Sequence, residues 1–221
     1  MIARVTKGGT AVKKLAVFAS VCIMATVAAA EDGGLYELGY DTGSKALQLA
    51  WYTGAGFWVG NDFDISTLKT KHNIVREIKY FTSPHWPNGR YDGFRIALFE
   101  FSSGLPGAKL WPAGTEGRFV KPAGDEGFKT FWVNYYLGTK KFVAAVEQFY
   151  DYPDCDPYYC DGNATFLAHS WQKEPEKNWV PLAGKNPYPY RNLMLRVIVR
   201  IGFSDIGVTP TSLGRVKALY Y

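Results

Sequence analysis

Residues 127–161 read GFKTFWVNYYLGTKKFVAAVEQFYDYPDCDPYYCD and divide into two extended segments followed by an aromatic loop with two cysteines. Aromatic and β-branched residues fill 127–137, and such residues fit the pleated, half-buried surface of a β-strand. Gly138-Thr139 then offers a two-residue turn with glycine first, which is typical of a type II′ hairpin. Apolar residues occupy both parities of 140–150, which indicates a central strand. The sequence therefore predicts a β-hairpin.

A helix is the alternative interpretation of residues 140–150, KKFVAAVEQFY, because alanine, glutamate and glutamine favour helices. The glycine turn before this segment and the β-rich partner segment favour the strand. The strand interpretation is therefore preferred.

Short extended segments recur along the rest of the chain, separated by turn residues. They lie at 35–40, 46–52, 56–62, 72–81, 94–101, 117–121, 165–172, 178–182 and 191–201, with 102–108 read as a polar turn. No segment has a convincing amphipathic helical pattern. This spacing is typical of an antiparallel sandwich or barrel. We therefore expect an all-β fold, an antiparallel β-sandwich of about ten strands.

The first thirty residues have the pattern of a secretory signal peptide. Four basic residues in 1–14 precede the apolar run 15–27 and the sequence Ala28-Ala29-Ala30. We expect a signal peptide at 1–30, a β-sandwich domain at 31–203, and a C-terminal tail or terminal strand at 204–221. An uncleaved anchor is the alternative for the first segment. The expected location is extracellular or at the cell surface, with the periplasm as an alternative.

The charge of the whole chain is dominated by this predicted leader. The chain has 25 basic and 20 acidic residues, and removing the four basic residues of 1–30 leaves 21 against 20. A nearly neutral domain gives no support for nucleic-acid binding, which needs a clustered basic surface. No apolar run after residue 30 is long enough to span a bilayer. Neither a nucleic-acid partner nor a membrane span is expected.

Two cysteines, Cys155 and Cys160, remain after the predicted leader. Export to an oxidising compartment predicts a disulfide between them, with two reduced thiols as the alternative. Oxygen ligands also gather in this loop, and Ca²⁺ prefers six to eight oxygens. Calcium is therefore a possible cofactor, held by Asp151, Asp154, Asp156, Asp161 and Asn163. The alternative is a polar loop that uses aspartate in its turns.

The chain has seven tryptophans and fifteen tyrosines. Flat aromatic faces can stack on sugar rings while nearby polar groups hold the hydroxyls. Candidate residues for binding a glycan or a partner are those in predicted loops or beside the cysteines: Trp86, Trp111, Tyr150, Tyr152, Tyr158 and Tyr159. The alternative is packing in the core, which is the expectation for the tryptophans in or beside strands: Trp51, Trp58, Trp132, Trp171 and Trp179.

Evidence for catalysis is sparse. Glu100 and Glu147 both fall in predicted strands, and facing glutamates could act as the acid and the nucleophile of a glycosidase. The three histidines are isolated, and no nucleophile-elbow, P-loop or zinc-protease motif is present. We expect a protein that is not an enzyme and has no catalytic residues.

Several segments together resemble a jelly-roll-like β-sandwich module of secreted bacterial proteins, similar in shape to carbohydrate-binding domains. They are ELGYDTG (37–43), GFWV (56–59), FRIALFEFSSGLPGA (94–108), FVAAVEQ (142–148), HSW (169–171), NWVPL (178–182) and NLMLRVIV (192–199). The resemblance implies an exported, non-catalytic module that binds a glycan or another surface polymer. The alternatives are a structural subunit of an extracellular assembly, such as a surface layer, filament or adhesin that binds copies of itself, and a small glycosidase.

Overall fold

The computed structural model describes residues 34–43, 45–49, 54–68, 72–82, 93–114, 116–120, 126–151, 154–155, 158–161, 168–182 and 192–202. These ranges contain thirteen β-strands and no helix, so the predicted all-β fold is confirmed. The predicted signal peptide and the tail at 204–221 lie outside them. In the described part of the chain, no helix is both long and apolar enough to cross a membrane.

The strands follow one another along the chain at short intervals. They are β1 (Leu35–Leu38), β2 (Lys45–Leu49), β3 (Phe57–Asp64), β4 (His72–Thr82), β5 (Phe94–Ser102), β6 (Leu105–Trp111), β7 (Arg118–Val120), β8 (Gly127–Leu137), β9 (Lys141–Gln148), β10 (Tyr158–Asp161), β11 (Ser170–Lys173), β12 (Val180–Pro181) and β13 (Leu195–Gly202).

The strands form two main antiparallel sheets and a small ribbon. One sheet has the order β1-β13-β4-β8, and the other has the order β12-β11-β3-β9-β5-β6 with β7 also paired to β5. The ribbon pairs β10 with β2. Eight strands, in the orders β1-β13-β4-β8 and β3-β9-β5-β6, reproduce the strand order of a jelly roll.

The main hydrophobic core lies between the two large sheets. Side chains from one face of each strand meet there, such as Ile78 and Tyr80 of β4 opposite Ile96 of β5 and Phe142 and Val146 of β9. Every residue of β9 after Lys141 is buried, because this strand has sheet neighbours on both sides and apolar cover on both faces. Each large side chain buried in this way contributes about 1.5–3 kcal/mol to stability.

The predicted hairpin between 127–137 and 140–150 is wrong, although both strands exist. β8 pairs with β4 in the four-stranded sheet, and β9 pairs with β3 and β5 in the seven-stranded sheet. Residues 138–140 therefore cross from one sheet to the other, and the carbonyl of Lys140 accepts a hydrogen bond from Ile65 N (2.9 Å). The helix alternative for 140–150 is excluded, because β9 is a central strand.

Two predicted loops contain strands. β6 occupies most of 102–108, leaving only a turn at Ser103-Gly104, where both residues have positive φ (53° and 78°). β10 lies within the aromatic cysteine loop, because the loop pairs with β2 more than one hundred residues earlier. Both strands have weak apolar alternation, so their pairing depends on distant neighbours rather than on local pattern.

Candidate functional site

The described members of the predicted set of binding aromatics do not form one exposed surface. Tyr158 and Tyr159 are buried, and the Tyr158 hydroxyl donates a hydrogen bond to the carbonyl of Phe57 (2.9 Å). Trp111 is half-buried against the main core, whereas Tyr150 is exposed after β9. Trp86 and Tyr152 lie outside the described residues. Among the described members of this predicted set, therefore, Trp111 and Tyr150 are the ones that reach the surface.

The structure contains no disulfide between Cys155 and Cys160, although both side chains are buried. Cys160 lies in β10, forms a bridge with Leu193, and packs into the main core. Cys155 lies in the bend before that strand and is not part of the same core cluster. The predicted disulfide is therefore corrected to two buried thiols with separate surroundings.

The described members of the predicted calcium set have other partners. Asp161 is fully buried and accepts a hydrogen bond from Thr42 N. Asp151 is exposed and accepts one from Ala55 N (2.9 Å). Asp154 is exposed, while Asp156 and Asn163 lie outside the described residues. No three acidic, histidine or cysteine side chains in the described ranges form a metal-binding group. Calcium binding stays a prediction.

Glu100 and Glu147 are not positioned as a glycosidase pair. Glu147 lies directly opposite Arg95 on the neighbouring strand, and Glu100 is five residues further along that strand. Five residues correspond to about 17 Å and to the opposite face of the sheet. Glycosidase carboxylates lie about 5–9.5 Å apart on the two sides of one bond. These two glutamates cannot share a substrate.

His169 has a carboxylate partner that the sequence did not reveal. Its Nδ1 lies 2.9 Å from Asp62 Oδ2, and its ring stacks on Tyr40 with centroids 4.3 Å apart. The neighbouring Ser170 is not a nucleophile for this pair, because its buried hydroxyl donates to Asn61 Oδ1 (2.8 Å). The group therefore resembles a Ser-His-Asp arrangement in composition but not in geometry.

A group of exposed aromatic and cationic side chains lies at β8, the edge strand of the four-stranded sheet. Trp132 of β8 is 54% exposed and Tyr136 is 52% exposed. The guanidinium of Arg76 lies 5.6 Å from the centroid of the Trp132 ring. Arg118 donates from Nη1 to the Trp132 carbonyl (2.8 Å) and lies 6.0 Å from the ring of Trp111. We call these five residues the Trp132 surface.

Local backbone geometry explains why Trp132 faces outward. Phe131 and Val133 on either side of it point into the core, so alternation directs Trp132 away from the core. The pairing of β8 with β4 shifts register between Val75 and Glu77, beside Asn134, which has a φ of 53°. Such a bulge twists an edge strand and re-aims its side chains. The sequence interpretation placed Trp132 in the core, and strict parity would have placed it outside.

A network of partly buried ion pairs lies beside this surface on the same sheet. Arg196 bonds both carboxyl oxygens of Asp41 (Nε–Oδ2 3.0 Å, Nη2–Oδ1 2.6 Å) and also Glu37 (3.0 Å). Lys79 bonds the other oxygen of Glu37 (2.6 Å). Burial alone would raise the pKa of Glu37, but the hydrogen bonds and charges of Lys79 and Arg196 lower it below its ordinary value. Two cations and two carboxylates therefore neutralise one another.

A second aromatic group lies on the outer face of the other sheet. Trp58, Glu147, Arg95 and Phe119 stand side by side on four adjacent strands. Phe149 contacts Phe119 and lies under the Arg95 guanidinium at 4.5 Å. Burial raises the pKa of Glu147, although Arg95 opposes this shift. Here the arginine is bound by two acids, because Arg95 also lies 3.1 Å from the Glu116 carboxylate. The guanidinium of Arg95 therefore already has two acidic partners within the protein.

Comparisons of the chain with protein-family models, with curated proteins and with solved structures gave no match. The structure defines the class of the protein, an all-β antiparallel sandwich with jelly-roll strand order. The resemblance to carbohydrate-binding modules stays a prediction, because no relative supports it. A function for this chain therefore rests on the side chains of its surface.

Proposed function

We propose that this protein is an exported, non-catalytic β-sandwich that binds a glycan or another surface polymer on the Trp132 surface. The observation that carries this proposal is Trp132, which is 54% exposed although Arg76 lies over its ring and Arg118 donates to its backbone carbonyl. Tryptophan and arginine are the residues most enriched among energetic hot spots of binding surfaces. Export rests on the signal-peptide pattern of residues 1–30.

The chemistry of the surface suits a sugar. The faces of a sugar ring carry C–H groups that pack on an aromatic ring, and its hydroxyls accept hydrogen bonds from guanidinium groups. Trp132 and Tyr136 lie four residues apart on one strand, which corresponds to about 13 Å along the sheet. This spacing favours an extended polymer over a single small sugar.

The Trp132 surface is also preorganised. Arg118 reaches from β7 in one sheet to the Trp132 carbonyl on β8 in the other, so it fixes the backbone that carries the ring. Trp132 is held from the other side by Arg76. A binding group held in place by its neighbours loses less conformational entropy when a ligand binds.

The same contacts disfavour assembly by strand addition at β8, although β8 is an edge strand. The Trp132 carbonyl already accepts a hydrogen bond from Arg118, and the bulge at Asn134 interrupts the regular edge. Bulges and capped edges are common protections against strand pairing between molecules. A polymer contacting side chains is therefore preferred to a second copy adding a strand here.

The test is a polysaccharide-binding assay with the purified protein and two variants. Trp132→Ala should weaken binding by more than about tenfold, as expected for a hot-spot tryptophan. Phe119→Ala is the matched control, since Phe119 is 48% exposed but lies on the opposite sheet. Both variants should stay folded, because each ring is about half exposed and its loss should cost no more than about 1.5 kcal/mol. Equal loss in both variants, or loss in neither, would contradict the proposed site.

A further inference from the structure

Three arginines on or beside the outer face of the four-stranded sheet lack an acidic partner. Arg76 and Arg118 flank Trp132, and Arg200 of β13 lies on the row that runs through Ile74 to Tyr136. None of the three forms an ion pair with any side chain in the described ranges. A guanidinium without an acid partner is available for an anionic ligand.

The remaining charges on this face do not cancel these three. Lys79 and Arg196 are neutralised by Glu37 and Asp41 within their own network. Glu77, opposite Trp132 on β4, is the other acid on the described part of the face. Three cations therefore stand against one carboxylate around the exposed rings, even though the domain as a whole is nearly neutral.

We infer that the polymer bound by the Trp132 surface is a polysaccharide that carries carboxylate groups, an inference that rests on the proposed function. Trp132 packs against the face of a sugar ring, while Arg76 and Arg118 bind a carboxylate on that ring or on the next. The planar guanidinium matches a carboxylate with two parallel hydrogen bonds. Arg200 lies about two strand spacings from Tyr136, roughly 10 Å, and attracts a more distant carboxylate.

The density of positive charge favours a carboxylated polysaccharide over more highly charged polymers. Arg76 and Arg200 lie on adjacent strands, with Arg200 paired to Ile74, whereas Arg118 lies on β7 of the other sheet. The three arginines are therefore spread over three strands and interleaved with Trp132 and Glu77. Nucleic acids and heavily sulfated chains bind through dense Lys/Arg surfaces. A polymer with one carboxylate per sugar matches a surface on which three guanidinium groups are interleaved with an aromatic ring and an acid.

The experiment measures binding of the purified protein to a panel of polyuronates, each paired with its carboxyl-esterified form. Esterification removes the charge and keeps the sugar backbone, so it is a matched ligand control. At least one polyuronate should bind, and its esterified form should bind at least tenfold more weakly. Raising the salt concentration should weaken binding to the charged form, because exposed charges are screened.

Arginine variants separate charge from the positioning of the ring. Arg200 lies on the row of Tyr136, away from Trp132, whereas Arg76 lies over the Trp132 ring. Arg200→Gln should weaken binding to the polyuronate and leave the affinity for the esterified form unchanged. Arg76→Gln should weaken binding to both forms, because Arg76 also holds the Trp132 ring, with the larger loss for the polyuronate. Lys177→Gln is the control, because this exposed lysine pairs with Glu174 before β12.

The outcomes distinguish the inference from the proposed function. Equal binding of charged and esterified forms would overturn the inference and leave glycan binding in place. Tighter binding of dextran sulfate or single-stranded DNA than of any polyuronate would also overturn it. No binding to polyuronates, their esters or neutral polysaccharides would overturn the proposed function itself.

Discussion

Asn61 connects the two sheets through the core, and its replacement should be costly. Its buried Nδ2 donates to the carbonyls of Leu193 and Leu195, each at 3.0 Å. Its Oδ1 accepts from the Ser170 hydroxyl at 2.8 Å. Ser170 Oγ in turn accepts from Leu193 N at 3.2 Å. β3 and β11 of one sheet are thereby joined to the start of β13 in the other.

Asn61→Ala should lower the free energy of unfolding by about 3 kcal/mol, from three hydrogen bonds of about 1 kcal/mol each. The cost rises toward about 5 kcal/mol if the two freed carbonyls stay dry. Thr82→Val is the matched control with the opposite sign. Thr82 Oγ1 is buried and has no hydrogen-bond partner among the residues that the structure describes. Removing this hydroxyl should be neutral or should stabilise the protein by up to about 1 kcal/mol.

Urea unfolding followed by tryptophan fluorescence measures both changes, since Trp171 and Trp179 are buried in the native state. The midpoint should fall for Asn61→Ala with an unchanged slope, because the compactness of both states is retained. A loss below about 1 kcal/mol for Asn61→Ala would refute the bridging role of this side chain. So would a Thr82→Val variant that is destabilised as much as Asn61→Ala.

Three further predictions concern charge and packing. The pKa of Glu37 is lowered from its ordinary value of 4.5, so ionised Glu37 stabilises the fold above that pH. This stabilisation is lost as the pH falls through the lowered pKa. Lys79→Met should make the loss of stability in acid smaller, as measured by unfolding at a series of pH values. The pKa of Glu147 is raised, so the stability of Glu147→Gln relative to the parent should increase as the pH rises from 4.5 toward neutrality, in the same assay. A Cβ at Gly60 would lie 2.5 Å from the carbonyl oxygen of Ala144, so Gly60→Ala should lower the free energy of unfolding by about 1–3 kcal/mol. A Cβ at Gly138 would meet no atom within 4 Å, so Gly138→Ala is the neutral control in the same thermal unfolding experiment.

Alternation along single strands could be read from the sequence. Leu195, Val197, Val199 and Ile201 share one parity, and all four are buried in the main core. The same rule applied strictly to β8 separates Trp132 from Phe131 and Val133, which pack inward. Period-two patterning therefore predicts the faces of a strand, because successive side chains point to opposite sides of the sheet.

The partners of each strand could not be read in this way. Gly138-Thr139 has the composition of a hairpin turn, but β8 and β9 pair with strands that are distant in sequence and lie in opposite sheets. Tyr158 and Tyr159 look like loop aromatics until β10 pairs with β2 and buries them. Arg118 joins Trp111 to Trp132 only because two sheet edges meet. These contacts depend on the topology, which local pattern does not encode.

The most direct test of the Trp132 surface is a titration with a polyuronate followed by the indole N–H resonances of the tryptophans. Trp132 is assigned with a Trp132→Phe variant. Its resonance should shift progressively with ligand, whereas the resonances of the buried Trp171 and Trp179 should stay in place. A saturable titration that moves other tryptophans and leaves Trp132 unchanged would contradict the proposed binding surface.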